Sequence, residues 1–365
     1  MDCGLIKSSV SIPSWWRSQE MQIRDFIEHS VIKGEIKTLA VSPGGREIKA
    51  VFYGEQETAL KGTANFTSAV AAGDSEYYYR KRERKRPVLV LLAGVHGQEL
   101  ESMVYTTSLI KLMETGTDLQ GMENPSLLKK LKELRLIIIP VANPDGRLRV
   151  PYDGWVGLPE VEMTKYGQGT RKNGELYGWL KSMSVHPMQD DIGILGGYFD
   201  DCGINMQVDD WSSPMSATTK AVLGLAGEEG PDMLINMHGH NWDPSILPVA
   251  YVPKEVRQEL FMLESEYKKA LQKSGYGYRD LNVLTGENSR VFSLTSLLYH
   301  QCGGLCYTFE CPHGCYDLRM PDGKPYGKHT YGYEDIMKVQ EHLISCATDY
   351  LTSRSGSLSI KKPTA

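Results

Sequence analysis

The chain has 365 residues, of which 41% are hydrophobic and 23% are charged, and its formal net charge is -5. These values are ordinary for a globular protein that folds as one large α/β domain or as two modest ones. The acidic balance argues against a nucleic-acid partner, and no apolar run approaches the ~18 residues needed to cross a membrane.

The first predicted elements are a helix and a β-hairpin. Residues 18–30, "SQEMQIRDFIEHS", predict a helix within an N-terminal extension, residues 1–34, that lies over the main body. Residues 37–54 alternate apolar and polar side chains around a Pro-Gly-Gly turn, which is typical of a hairpin. This hairpin begins a main domain at residues 35–352, and a flexible tail is expected at 353–365.

Continuous apolar strands then alternate with helical segments. The four strands are "PVLVLLAG" at 87–94, "LRLIIIPVAN" at 134–143, "DMLINMHGH" at 232–240 and "GLCYTFECP" at 304–312. Strands without an exposed face, separated by helices, indicate a parallel sheet that is covered on both sides. We therefore expect an α/β fold with a mixed, largely parallel central sheet and helices on both faces.

Residues 151–215 fit this alternation poorly, because they are rich in Gly, Asp and Tyr. A long irregular insertion in a compact domain is usually functional or disordered. The aromatic residues between Trp155 and Trp179 favour a folded segment that forms the wall of a cleft.

Polar side chains follow the four strands at their carboxyl ends, where ligands bind in open α/β sheets. They are His96 and Glu99, Asn143 and Asp145, His238 and His240, and Glu310. His96 and Glu99 stand three residues apart as a helix begins, so both can bind one ion. Two histidines and one carboxylate are a ligand set of catalytic zinc, with His238 as the third ligand. The sequence therefore predicts one zinc site.

The cysteines indicate a reducing environment rather than a second metal site. Four of the seven lie close together, at Cys302, Cys306, Cys311 and Cys315. Their spacing lacks the two-residue gap of a zinc ribbon, so we interpret them as reduced thiols packed beside a site, with a structural metal or cluster as the alternative. The opening residues also lack the apolar core of a signal peptide, and we expect a cytoplasmic protein.

Four motifs in this order resemble the zinc carboxypeptidase family of the carboxypeptidase A type. They are "HGQE", "NPDG", "NMHGH" and "TFECP", and the resemblance covers roughly residues 35–350. It implies that His96, Glu99 and His238 hold one zinc ion and that Glu310 is the general base for water. It also implies a hydrolase that cleaves an amide bond in a peptide.

The resemblance nominates a cation for the oxyanion. "GTRKNG" is similar to the family's "WRK" segment, which nominates Arg171 because a guanidinium has a permanent charge and fixed donors. The gap from Asn143 is longer than in the family, and Arg147 and Arg149 are rivals, with Arg147 also a candidate substrate contact. Asn143 and Asp145 are interpreted as turn residues.

The segment that binds the substrate carboxylate departs from the family's G-x-x-x-N-R pattern. "GINMQVDDW", residues 203–211, has Gln207 and Val208 where the Asn-Arg pair belongs. We expect the usual carboxylate clamp to be missing, and we nominate Arg290 as the replacement, with Gln207 and His240 as further substrate or cleft contacts. Three tyrosines could cover the substrate or simply pack: Tyr276, Tyr278 and Tyr299.

Three functions stay open on these residues. The first is a zinc-dependent hydrolase of the carboxypeptidase type. The second keeps the fold and the zinc but is a deacylase of the succinylglutamate desuccinylase and aspartoacylase branch, or an amidase of cell-wall peptides. The third is a binding module that has lost its zinc, against which the complete ligand set and Glu310 argue. The expected partner is a peptide or an acylated amino acid, with no nucleic acid and no membrane.

Overall fold

The centre of the protein is a seven-stranded mixed sheet. The computed structural model describes residues 5–57, 64–73, 84–281, 292–316 and 329–353. The strands in these ranges are β1 (Glu35–Val41), β2 (Glu47–Tyr53), β3 (Val88–Ala93), β4 (Arg135–Ile139), β5 (Thr170–Arg171), β6 (Ile192–Ile194), β7 (Met233–His240), β8 (Ser245–Pro248) and β9 (Leu305–Pro312). The large sheet has the order β1-β2-β4-β3-β7-β9-β8, and β5 and β6 form a separate two-stranded sheet.

The four inner strands of the large sheet, β4, β3, β7 and β9, run parallel to one another. The edges are antiparallel, with β1 and β2 on one side and β8 on the other. The predicted hairpin and the predicted mixed, largely parallel sheet are therefore confirmed. Because the inner strands point the same way, their carboxyl ends lie at one edge of the sheet.

Eleven helices are present in the described part of the chain. They are α1 (Glu20–Ser30), α2 (Phe66–Ala71), α3 (Leu100–Thr115), α4 (Pro125–Lys132), α5 (Pro144–Arg149), α6 (Glu160–Gly167), α7 (Gly178–Ser184), α8 (Ala217–Glu229), α9 (Lys254–Lys273), α10 (Leu294–Cys302) and α11 (Tyr333–Ser353). Within these ranges, no helix is both long enough and apolar enough to cross a bilayer.

Helices cover both faces of the sheet, as the apolar strands predict. Alternate residues of β3 belong to two different apolar clusters, Leu89 and Leu91 to one, Val90 and Leu92 to the other. Side chains of α1, α3, α4, α9 and α11 complete the first cluster, and those of α2, α8 and α10 complete the second. The predicted N-terminal helix thus packs into the main core, while the predicted tail after Ser353 lies outside the described residues.

The irregular segment at residues 151–215 is folded. It contains α6, α7, the β5–β6 pair and a 3₁₀ turn at Met206–Val208. Trp155 is fully buried, and its indole N–H donates a hydrogen bond of 2.6 Å to the carbonyl of Gln98. The segment is therefore fastened to the loop that follows β3.

Candidate metal centre

The three predicted zinc ligands meet at the carboxyl edge of two neighbouring strands. His96 lies in the loop after β3, Glu99 is the N-cap residue of α3, and His238 belongs to β7, which pairs directly with β3. All three side chains are buried. Their potential ligand atoms lie within 4.8 Å of one another, and no other group of three such residues could hold a metal in the described ranges.

The contacts within this cluster bring hydrogen-bond acceptors together. His96 Nδ1 lies 2.7 Å from Glu99 Oε1, and His238 Nδ1 lies 2.8 Å from Glu99 Oε2. The two Nδ1 atoms are 3.2 Å apart. The second contact has an ion-pair distance without hydrogen-bond geometry, so Glu99 Oε2 has no hydrogen-bond donor among the described residues.

The tautomer of His96 follows from its other nitrogen. His96 Nε2 lies 3.2 Å from Asn205 Oδ1, and this oxygen also accepts a hydrogen bond from the backbone N–H of Gln207. Asn205 Oδ1 is thus an acceptor and Nε2 the donor, which leaves the lone pair of Nδ1 facing Glu99. A lone pair and a carboxylate oxygen at this distance repel each other unless a cation lies between them. The donor set therefore fits a zinc ion with two nitrogen ligands and one carboxylate ligand.

The electrostatics of Glu99 agree with this geometry. Burial raises the pKa of its carboxyl group, whereas positive charge at His96 and His238 lowers that pKa and outweighs burial. In the neutral tautomer that the geometry of His96 indicates, a bound cation would supply this charge. The carboxylate form of Glu99 is therefore favoured when positive charge lies beside it. A buried anion of this kind requires a cation as its partner.

Two residues that the sequence did not nominate hold His96 in place. The ring of Tyr198 stacks on the imidazole, with centroids 3.8 Å apart and planes 7° apart. Asn205 binds the outer nitrogen, as described above. Asn205 lies in residues 203–211, where the departure from the family pattern had already drawn attention to the segment. No sequence motif pointed to Tyr198.

Three glycines let the loops around the metal ligands touch through their backbones. A Cβ atom added to Gly97 would collide with the backbone of Gly146 and Arg147, and one added to Gly146 would collide with the carbonyl of Gly197. The backbone N–H of Gly97 donates a hydrogen bond of 2.7 Å to that same carbonyl. The main chain therefore fixes the loop that carries His96.

The turn residues Asn143 and Asp145 are fully engaged inside the protein. Asn143 Oδ1 accepts a bond of 2.9 Å from Gly146 N–H, and Nδ2 donates to the carbonyls of Gly197 and Phe199 at 3.1 Å each. Asp145 accepts bonds from Ser42 and Arg46, among others. Both side chains join the "NPDG" turn to neighbouring loops.

Glu310 lies beside the metal ligands on the next strand. In the pairing of β7 with β9, Glu310 is opposite His238, and in that of β8 with β9 it is opposite Ser245. Burial raises the pKa of Glu310, although the nearby positive charges of His238 and Arg279 act against it. Its carboxyl group therefore holds a proton more tightly than a carboxyl group in water.

His240 lies two residues beyond His238 on the same strand. Its Nε2 is 2.9 Å from the carbonyl oxygen of Asp243, so Nε2 carries the hydrogen. Burial lowers the pKa of His240 to about 3. The imidazole is therefore neutral at the end of β7, with Nδ1 as an acceptor.

The arginines near the "NPDG" turn are bound within the protein. Arg147 is buried, and its guanidinium donates to three backbone carbonyls and to Asp153. Arg149 bonds Asp201 and the carbonyls of loop 195–199. Neither guanidinium contacts the three-residue cluster in the described structure.

Arg171 lies in β5, at the surface. It donates a hydrogen bond of 2.9 Å to Asp191, and its guanidinium packs over the ring of Tyr177. Arg290, the nominated carboxylate partner, lies outside the described residues. Gln207 is half-buried, and its Oε1 accepts a bond of 3.0 Å from Asn236, two residues before His238.

Asp209 and Asp210 next to Val208 bind local donors. The carboxylate of Asp209 accepts hydrogen bonds from the backbone of Asp210, Met215 and Ser216, and that of Asp210 accepts bonds from residues 212 and 213. These hydrogen bonds therefore stabilise the turn that leads into α8.

The three candidate tyrosines all have partners. Tyr276 donates to Asp335, Tyr278 donates to Glu264, and Tyr299 is buried against Phe66. The four clustered cysteines are buried and form no disulfide within the described residues, as the interpretation of reduced thiols expects.

One arginine that the sequence did not nominate lies near Glu310. The guanidinium of Arg279 sits 4.1 Å above the ring centroid of Trp242, which follows β7. Burial lowers the pKa of Arg279, while the charge of Glu310 acts in the opposite direction.

Comparisons with known proteins agree with this site. Residues 32–169 match the family model described as zinc carboxypeptidase, a region that includes His96 and Glu99. No curated protein sequence matches the chain.

Solved structures are similar in fold over most of the chain. A metallo-carboxypeptidase from Burkholderia cenocepacia is 16% identical with a TM-score of 0.53, covering 92% of this chain and 69% of its own. Carboxypeptidase A from Helicoverpa armigera is 11% identical with a TM-score of 0.52, covering 93% and 74%. A metallo-carboxypeptidase from Pseudomonas aeruginosa is 14% identical with a TM-score of 0.52, covering 91% and 69%. The family match over residues 32–169 and the shared fold together confirm the resemblance to zinc carboxypeptidases.

Proposed function

We propose that this protein is a zinc-dependent hydrolase that cleaves an amide bond and uses Glu310 as its general base. The observation that carries the proposal is the group of three buried acceptors at His96, Glu99 and His238, with Glu310 opposite His238 on the adjacent strand. A zinc ion held by these three side chains would lower the pKa of a water molecule and polarise the scissile carbonyl.

The chain's own residues would do the remaining work. Glu310 would take a proton from the attacking water and deliver it to the leaving amine, a task suited to a carboxyl group whose pKa is raised by burial. Tyr198 and Asn205 orient His96 and fix its tautomer. For the oxyanion we propose Arg171, whose guanidinium is paired with Asp191 at the surface.

The substrate is a peptide or an acylated amino acid. Gln207 and Val208 stand where the family binds a terminal carboxylate, which favours an altered way of recognising the substrate and keeps the deacylase or amidase as the second candidate. Gln207 and His240 are proposed contacts along the cleft. We also propose a cytoplasmic location, with which the reduced state of the described cysteines agrees.

The decisive experiment compares wild type with Glu310→Gln. We expect about one zinc per chain in both proteins, and turnover lower by on the order of 10²–10⁴-fold in the variant, because the amide cannot accept the proton. Metal analysis of zinc-supplemented protein gives the first quantity. Release of amines from pooled peptides and pooled acylated amino acids gives the second and separates the two candidate functions.

Glu35→Gln is the matched control, since Glu35 is an exposed glutamate at the start of edge strand β1. It should retain both zinc and turnover. Zinc content near zero in wild type, or turnover of Glu310→Gln within a few-fold of wild type, would contradict the proposal.

A further inference from the structure

Arg279 and Trp242 form a cation–π pair on the side of the metal centre where Glu310 lies. Trp242 lies between β7 and β8, only three residues before Ser245, which pairs with Glu310. The guanidinium carbon of Arg279 is 4.1 Å from the centroid of the indole ring. Arg279 is half-buried, and Trp242 is exposed by 38%. The pair therefore lies at the surface next to a buried reactive group.

The backbone before Arg279 is held in position from several directions. The N–H of Arg279 donates a hydrogen bond of 3.0 Å to the carbonyl of Pro244. The hydroxyl of Tyr278 donates to Glu264 and accepts from the backbone N–H of Ile246 in β8. At Gly277, any side chain would collide with the carboxylate of Asp243. This segment thus fixes the base of the Arg279 side chain against the β7–β8 connection.

The guanidinium has no acidic partner of its own in the described part of the chain. Across those residues it makes neither an ion pair nor a side-chain hydrogen bond, although its charge acts on both Glu310 and His240. In contrast, Arg147, Arg149 and Arg171 each bind an aspartate. A half-buried cation whose donors are unused is available to an anionic ligand.

Stacking on an indole leaves the edge of a guanidinium open. The guanidinium carbon of Arg279 lies over the ring, and the N–H groups of a guanidinium lie in its own plane, in a fork that matches the two oxygens of a carboxylate. The fixed backbone reduces the entropy that such binding would cost. Arg279 could therefore take the place of the arginine that the family pattern leads us to expect at position 208.

We propose that Arg279, held on Trp242, binds a carboxylate group of the substrate and determines the preference for anionic substrates. The inference rests on the proposed function, because it assigns Arg279 to the substrate of that same site. Glu310 is opposite His238 on one side and opposite Ser245 on the other, and Ser245 follows Pro244, to which the backbone of Arg279 is hydrogen-bonded. An amide bond adjoining the bound carboxylate would then lie on the Glu310 side of the metal ligands.

Binding can be tested without turnover in zinc-loaded protein carrying Glu310→Gln. The probes are a pool of N-acetyl dipeptides with free carboxylates and the same pool with C-terminal amides, measured by calorimetry. We expect the acid pool to bind more tightly than the amide pool. Arg279→Gln should weaken binding of the acid pool by about 10–100-fold and leave the amide pool unchanged, since a bidentate charged hydrogen bond is lost.

Two further variants make the outcome specific. Arg279→Lys keeps the positive charge but lacks the paired N–H donors of a guanidinium. It should therefore recover only part of the preference for the acid pool over the amide pool. Arg17→Gln is the matched control, because Arg17 also lies over an aromatic ring, 5.7 Å from the centroid of Phe26. It should leave both pools unaffected.

The inference is overturned if the acid and amide pools bind equally to the parent protein, or if the acid pool does not bind. It is also overturned if Arg279→Gln leaves the ratio of acid-pool affinity to amide-pool affinity unchanged. Hydrolysis by the Glu310-containing protein is measured separately. If hydrolysis is absent while acid binding depends on Arg279, the proposed function fails and the inference stands. If hydrolysis is present and the ratio does not depend on Arg279, the function stands and the inference fails.

Discussion

Replacing Asn143 by alanine tests whether the "NPDG" turn supports the metal centre. The substitution removes the cap on α5 and both bonds from Nδ2 to the carbonyls of Gly197 and Phe199, which flank Tyr198. Gly97 and Arg149 still donate to these carbonyls, so neither is left without a donor. Three buried hydrogen bonds at about 0.5–1.5 kcal/mol each give an expected loss of ~2–4 kcal/mol.

A second asparagine provides the matched comparison. Asn124 caps α4 in the same way, with a proline following it, and its Nδ2 makes one partly exposed bond to Glu341. We expect Asn124→Ala to cost about 1 kcal/mol. Urea unfolding of the metal-free proteins measures both losses, and zinc competition measures a further effect: about tenfold weaker zinc binding for Asn143→Ala alone, because Tyr198 loses its support.

Equal losses of stability in the two variants would refute the argument that Asn143 joins three loops. Unchanged zinc affinity in Asn143→Ala would show that the loop around Tyr198 holds His96 without this side chain.

Three other predictions concern different parts of the molecule. If Arg171 acts on the oxyanion, Arg171→Gln should lower kcat by about 10²-fold or more, and the control Asp191→Asn should not. A loss below threefold for Arg171→Gln would show that Arg171 only forms its surface ion pair with Asp191. Arg135→Leu should lower the free energy of unfolding, measured in urea, by about 3–5 kcal/mol because it leaves the buried Glu229 carboxylate without its partner. Replacing both Arg135 and Glu229 by leucine should lower it less, and equal losses in the two variants would contradict this reasoning. The pKa of His240 is lowered from its ordinary 6.5 to about 3, so as pH falls the unfolded chain binds a proton at this residue before the folded protein does. Wild type should therefore lose more stability than His240→Asn between pH 6 and pH 4. An equal dependence of unfolding free energy on pH in the two proteins would argue against this.

The fold could be predicted because its signals are local. The run "VLVLL" in β3 and the alternation on both sides of the Pro-Gly-Gly turn depend only on neighbouring residues. The ligands His96, Glu99 and His238 could be nominated because each follows, or ends, a recognisable strand, and parallel strands end together.

The surroundings of the ligands could not be predicted in the same way. Tyr198 reaches His96 across about a hundred residues of sequence, and Arg279 reaches Trp242 from the far side of α9. Loops of irregular length set these contacts, and no periodicity records the direction of a loop side chain. Arg147 illustrates the converse: its position after the turn made it a candidate, but its guanidinium turns towards the backbone carbonyls of the protein interior.

The contact among Gly97, Gly146 and Gly197 has a consequence for how this chain tolerates change. Since a Cβ atom at Gly97 or Gly146 would overlap backbone atoms, no repacking of nearby side chains can make room for a methyl group at either position. Saturation mutagenesis would find a group of positions that tolerate no substitution although they carry no reactive atom, next to the residues that hold the metal ligands. Conservation of such a patch among relatives would report on the placement of His96, and it would be misread if every invariant position were assigned a role in chemistry.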